Sequence, residues 1–180
     1  MKKYNYREIF IIFMVILMIV SIIFLLTTKK KINKKDYLYI TGDTKLKINN
    51  SIPLSDEIGK KEKSKDYSIN FKVNGDKLNS DKVKYEIFVK QINSANSIND
   101  KYIRVYLVEN NTQKPLISKP ISFNKLLGSS KDIDAKQIYI GTIKKSNIVN
   151  IKYKMWLADT YTINNETKNF EIMIGVNILN

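Results

Sequence analysis

The 180-residue sequence has no cysteine and no histidine, only six glycines, three prolines and one tryptophan, and just two arginines among its 31 basic residues. Without cysteine there can be no disulfide framework, no zinc knuckle, no lipid attached through a thiol and no thiol nucleophile. Without histidine the usual general base near neutral pH is missing, as is the commonest metal ligand. Together these absences point away from hydrolases and metalloenzymes, and the residues supply no catalytic, cofactor-binding or metal site. The scarcity of arginine bears on nucleic acid, whose recognition favours a basic stripe with bidentate guanidinium contacts. Lysine, isoleucine (29) and asparagine (20) dominate instead. All three have A/T-rich codons, so coding bias accounts for much of the basicity and no nucleic-acid partner is expected.

The net charge of +14 divides evenly along the chain. Residues 1–35 hold eight basic side chains against Glu8 alone, and residues 36–180 hold 23 against 16, giving +7 in each part. The first share flanks a long apolar run. Ile9 to Leu26 is 18 residues without a charge, glycine or proline. With Thr27 and Thr28 the run reaches about 30 Å as a helix, the thickness of a bilayer core. Ile9, Phe10, Ile16, Leu17, Ile23 and Leu26 are the expected anchor residues. The run is longer than a signal-peptide core, and Thr-Thr-Lys-Lys-Lys follows it in place of a small-residue cleavage site. The expectation is an uncleaved signal-anchor: tail 1–8, transmembrane helix 9–28, basic juxtamembrane linker 29–36 and soluble domain 37–180. Lys29, Lys30, Lys31, Lys34 and Lys35 would meet anionic lipid, at about 1 kcal/mol each. The basic count taken literally favours a cytoplasmic C-terminus, but large domains translocate largely regardless of charge, and an extracytoplasmic domain is expected. Glu8 before the apolar run invites comparison with type IV pilins; Tyr6 and Arg7 stand where pilin processing needs Gly and Phe, and that reading is rejected.

From Tyr37 onward the dominant pattern is apolar–polar alternation with period two, the mark of half-buried strands. Ile69, Phe71 and Val73 form one such row, and Val83, Tyr85, Ile87 and Val89 another. Ile103, Val105 and Leu107 follow, then Ile138, Ile140 and Thr142. Val149, Ile151, Tyr153, Met155 and Leu157 make a longer row, and Phe170, Ile172, Ile174, Val176 and Ile178 close the chain. Turn-rich stretches separate the rows, among them Asn74-Gly75-Asp76. With early strands near Tyr37–Ile40 and Lys45–Ile48, seven or eight strands are expected. Clean alternation implies antiparallel sheets with one solvated face, packed as an immunoglobulin-like β-sandwich. The charged stretch Ser55–Asp66 reads as an exposed loop.

The last two strands, IKYKMWLADTYT and NFEIMIGVNI, resemble the C-terminal end of anchored β-sandwich surface proteins of low-GC Gram-positive bacteria, similar to camelysin-type and biofilm matrix-fibre proteins. The resemblance covers about thirty residues and implies a non-enzymatic, extracytoplasmic surface role.

Four motifs bear on chemistry. Ser–Lys hydrolases of the signal-peptidase type work without histidine, and Ser51-Ile52-Pro53-Leu54 echoes their serine box with the spacing off by one residue. Trp156 is a speculative aromatic binding face for a glycan, packing in the core or under a loop being the plainer account. Asp132 and Asp134 form an Asp-x-Asp pair, short of the six to eight oxygens calcium requires. The sequons at Asn49, Asn110 and Asn165 are expected by chance in so asparagine-rich a chain. The expected function is therefore a membrane-anchored β-sandwich with a structural, adhesive or assembly role, binding through strand edges or sheet faces. An envelope protein or a second copy is the expected partner. The alternatives are a membrane-bound Ser–Lys hydrolase and an inner-leaflet scaffold.

Overall fold

The computed structural model describes residues 5–27, 35–49, 51–92, 96–163 and 168–179. The chain forms two compact units, residues 1–34 and 35–180. In the first, helix α1 runs Tyr6–Thr27. Ile9, Phe10, Ile16 and Leu17 lie on it with half or more of their surface exposed. Ile23 and Leu26 are helical, with side chains outside the described set, and Lys29, Lys30, Lys31 and Lys34 lie outside the described residues. Ser21 satisfies its hydroxyl internally, donating to the Leu17 carbonyl at 2.8 Å.

The transmembrane helix expected over 9–28, and the signal-anchor with it, is corrected here: among the described residues no helix is long and apolar enough to cross a membrane.

Among its described residues the second unit holds ten strands: β1 (Tyr39–Gly42), β2 (Lys45–Ile48), β3 (Ser68–Asn74), β4 (Lys82–Gln91), β5 (Ile103–Glu109), β6 (Ile121–Ser122), β7 (Leu127–Gly128), β8 (Ala135–Lys144), β9 (Ile148–Leu157) and β10 (Phe170–Leu179). They pair into two five-stranded antiparallel sheets, β1-β3-β9-β5-β6 and β2-β10-β4-β8-β7. With β1 and β7 set aside, β3-β9-β5-β6 faces β2-β10-β4-β8, which is the order of a jelly roll. The seven-or-eight-strand immunoglobulin-like sandwich is thereby corrected to a ten-stranded sandwich of different winding. The reason lies in pairing: alternation fixes which side chains face inward but not which strands meet.

The core follows the alternation closely. Ile69, Phe71 and Val73 of β3, the Val83–Val89 row of β4, Ile103, Val105 and Leu107 of β5 and the inward rows of β9 and β10 fill the space between the sheets. Phe123 and Phe170 meet edge to face at 5.0 Å between ring centres. Strand β8 departs from the expected parity. A bulge opposite Ile87 and Phe88 inserts one residue, so Ile138 and Ile143 are buried while Ile140 turns to solvent. A bulge shifts the inward face by one position, which simple alternation cannot anticipate.

The stretch expected as a loop over Ser55–Asp66 instead contains helix α2 (Asp56–Lys61) and a 3-10 turn (Lys65–Tyr67). Ser55 caps α2, its hydroxyl accepting from the Ile58 N–H at 3.4 Å. Asp56 and Glu57 sit in the first turn and Lys60 and Lys61 in the last, each sign at the end where the helix dipole favours it. At the other end of the sandwich Asp36 accepts from the backbone N–H groups of Asn79 and Ser80 and from the Ser80 hydroxyl. Those bonds hold its carboxyl below the ordinary carboxylate range and tie residue 36 to the β3–β4 loop.

Candidate functional site

The outer face of the β1-β3-β9-β5-β6 sheet carries most of the non-core chemistry, and it is divided into a covered and an open half. In the covered half Trp156, Tyr106 and Val108 point away from the main core, yet all three are buried. They form a second small core with Leu54, Tyr67 and Ile117. Helix α2 lies directly over the indole. Gly59 approaches so closely that a Cβ there would sit 2.3 Å from Trp156 Cε2.

Two cationic side chains fasten this cover. Lys154 is buried on β9 beside Trp156. Its ammonium donates to the carbonyls of Lys60 and, at 2.8 Å, Glu62, where the C-terminal end of α2 presents unpaired oxygens. Burial holds its pKa below that of an ordinary lysine. At the other end Arg104 of β5 grips Asp56 with two N–H groups, Nε to Oδ1 at 2.9 Å and Nη2 to Oδ2. It also donates to Ser122 Oγ at 2.7 Å and to the Pro120 carbonyl at 3.0 Å. The guanidinium thus joins α2, β5, β6 and the segment before β6. Hollows of about 390 and 290 Å³ flank the pair, the first of them polar. Ser55, Glu57, Lys101 and Asp159 line the first, and Lys119 and Lys125 the second.

The opposite sheet carries a buried carboxylate. Glu86 on the outer face of β4 is fully buried and accepts from Ser129 Oγ at 2.6 Å, Asn177 Nδ2 at 2.9 Å, Gln137 Nε2 at 3.0 Å and the Ser130 N–H at 3.2 Å. Burial alone would raise its pKa; the four hydrogen bonds outweigh that and hold it at about 2. With every acceptor position occupied by a donor, this group fastens β4, β8, β10 and the β7–β8 loop together.

The residues singled out from the sequence are dispersed. Trp156 is buried under α2 and offers no platform for a ligand. Ser51 donates to the Asn49 carbonyl at 2.8 Å, while Lys154, the lysine that burial shifts downward, is committed to the two α2 carbonyls. Neither hydrogen-bonds the other, so the serine–lysine pairing a hydrolase needs is not assembled there. Asp132 and Asp134 both face the Lys90 ammonium, at 3.3 and 3.4 Å. Lys35 contributes its backbone carbonyl to Asn79 Nδ2 at 3.2 Å. Asn165 lies outside the described residues. Among the described residues no three His, Cys, Asp or Glu side chains converge as metal ligands do.

Arg104, Asp56, Lys154 and Glu86 were missed from the sequence. The signal available for Asp56 was the helix-start pattern Ser55-Asp56-Glu57, and Arg104 was conspicuous as the only arginine beyond residue 7.

No family model matches the chain, and no curated protein matches it. Among solved structures it is similar to the VP2 subviral particle of infectious bursal disease virus, at 10% identity and a TM-score of 0.34, over 79% of this chain. The chain spans 32% of the length of that protein. These comparisons indicate no enzyme family.

Proposed function

We propose that this chain is a non-enzymatic binding module, held at a membrane and facing the extracytoplasmic side, with a structural, adhesive or assembly role. One observation carries the non-enzymatic part. The two charged side chains buried in the described sandwich, Glu86 and Lys154, are both committed to bonds that hold elements of the fold together. A catalytic acid or base needs a proton position open to substrate; all four acceptor positions of Glu86 are filled, and Lys154 spends two of its three N–H donors on backbone carbonyls.

Binding falls to the sheet faces. The four edge strands β1, β6, β2 and β7 are two or four residues long, too short to template an added strand. The attachment falls to α1, whose side chains from Ile9 to Val20 are apolar on every side and exposed. A helix of that kind requires a non-aqueous cover, and lipid is the cover we assign. The resemblance of the last two strands to camelysin-type surface proteins agrees with this placement. Fractionation of cells expressing the full chain tests the attachment: the protein should pellet with membranes, resist high salt, and be released by detergent. Release by salt alone would overturn the apolar attachment and leave only its lysines to hold it.

A further inference from the structure

The open half of the same sheet contains a second, unassigned feature. A hollow of about 350 Å³ is lined by Thr41, Gly42, Asn70, Phe71, Lys72, Asn110 and Asn150, a volume at the lower end of small-ligand sites, about 300–1,000 Å³. Its construction follows from the strand register. Thr41 of β1 pairs with Lys72 of β3, which pairs with Asn150 of β9. Asn110, just past β5, donates its backbone N–H to the Asn150 carbonyl at 2.9 Å. Thr41, Lys72, Asn150 and Asn110 therefore form one line across four strands, about 14 Å long at the usual inter-strand spacing. Asn70 stands two residues before Lys72 on the same outward face.

The floor is kept open by Gly42. Its φ of +103° is a conformation side chains rarely adopt, and a Cβ there would lie 2.7 Å from the Asn70 carbonyl. The amides around it are uncommitted. Some side-chain amides of the sandwich are spent on the fold, as with Asn74 on Thr41 and Asn177 on Glu86. The side chains of Asn70, Asn110 and Asn150, by contrast, make no hydrogen bond within the described protein.

We propose that this hollow is a saccharide-binding site. Each amide offers two donors and an acceptor, the complement of a hydroxyl that both donates and accepts. Three such groups on one sheet face suit a polyhydroxylated chain better than an ionic or apolar ligand. Lys72 beside them adds a preference for a sugar bearing a carboxylate. Neither the site nor its ligand depends on how the chain is attached to a membrane.

The test uses the full-length protein in detergent, titrated by calorimetry with mannan, dextran and polygalacturonate, and with polyglutamate as a non-sugar polyanion. Saturable binding to at least one polysaccharide is expected, weakened roughly tenfold when Asn70 and Asn150 are both replaced by alanine. Asn70 is exposed, so Asn70→Ala alone keeps the test valid should Asn150→Ala unfold the protein; it should weaken binding severalfold at an unchanged melting temperature. Lys84→Ala on the other sheet should leave binding unaltered. No saturable binding to any of the three polysaccharides would overturn the proposal. So would equal binding of polyglutamate, or affinity indifferent to the asparagine substitutions.

Discussion

Replacing Gly59 by alanine sets two effects of opposite sign against each other. Alanine is favoured over glycine inside a helix by about 1 kcal/mol, so an α2 free of the sheet would gain stability. In the structure the new methyl falls 2.3 Å from Cε2 and 2.5 Å from Cδ2 of Trp156. Both are atoms of a rigid ring that is itself fully buried. Overpacking of this kind costs about 1–3 kcal/mol when neighbours can shift. The ceiling is set by α2 lifting off altogether. That would expose the indole, about 200 Å² at about 25 cal/mol per Å², or about 5 kcal/mol. Clasps at both ends of the helix, Arg104 on Asp56 and Lys154 on the Lys60 and Glu62 carbonyls, resist full detachment. With contacts this short the cost falls at the upper end of that range, and after the helix preference is subtracted the expected net loss is about 2 kcal/mol, a fall in melting temperature of about 4–8 °C for a domain of this size. Trp156 is the only tryptophan, so its fluorescence reports the contact without ambiguity. The parent protein should emit at short wavelength and resist acrylamide quenching, and Gly59→Ala should shift emission to the red and increase quenching. A variant that melts at or above the parent temperature with unchanged emission would show helix preference acting alone, and the packing of α2 on Trp156 would be refuted.

Glu86 should govern acid stability. Its folded pKa of about 2 lies below the ordinary 4.5, so its contribution is complete above pH 4.5 and is lost as pH falls toward 2. Its size is on the order of 3 kcal/mol. Urea midpoints measured across that window should fall for the parent, while Glu86→Gln should be less stable at pH 7 and show a flatter acid limb; parallel pH curves would exclude the assignment. Arg104→Lys keeps the charge but loses the two-pronged grip on Asp56 and the bonds to Ser122 and Pro120. Because the carboxylate is about one-third exposed, solvent screening limits the expected loss to about 1–2 kcal/mol; a variant as stable as the parent would contradict the role given to the guanidinium.

Much of the sandwich was legible because burial on one face of a strand imposes a period of two. The inward rows of β3, β4, β5, β9 and β10 read directly from the sequence. What was not legible depended on contacts between distant segments. Tyr106, Val108 and Trp156 have outward parity, and only the return of residues 54–67 over the sheet makes them a core. That returning segment is nearly all polar, since α2 meets the indole through a glycine rather than an apolar side chain. The bulge in β8 reversed the parity of Ile138 and Ile140, and the jelly-roll order rests on pairings such as β2 with β10 that join the two ends of the domain. The hollow escaped notice for a similar reason: Asn70, Asn110 and Asn150 are ordinary members of an asparagine-rich chain until the packing of β3, β9 and the end of β5 brings them around one hollow.

The placement of the sandwich is tested most directly by protease treatment of intact cells carrying the full chain with a C-terminal tag. Loss of the tag from intact cells is expected while a cytoplasmic marker survives. A tag protected until the cells are lysed would contradict it, and would place the domain on the inner leaflet as a membrane-tethered scaffold.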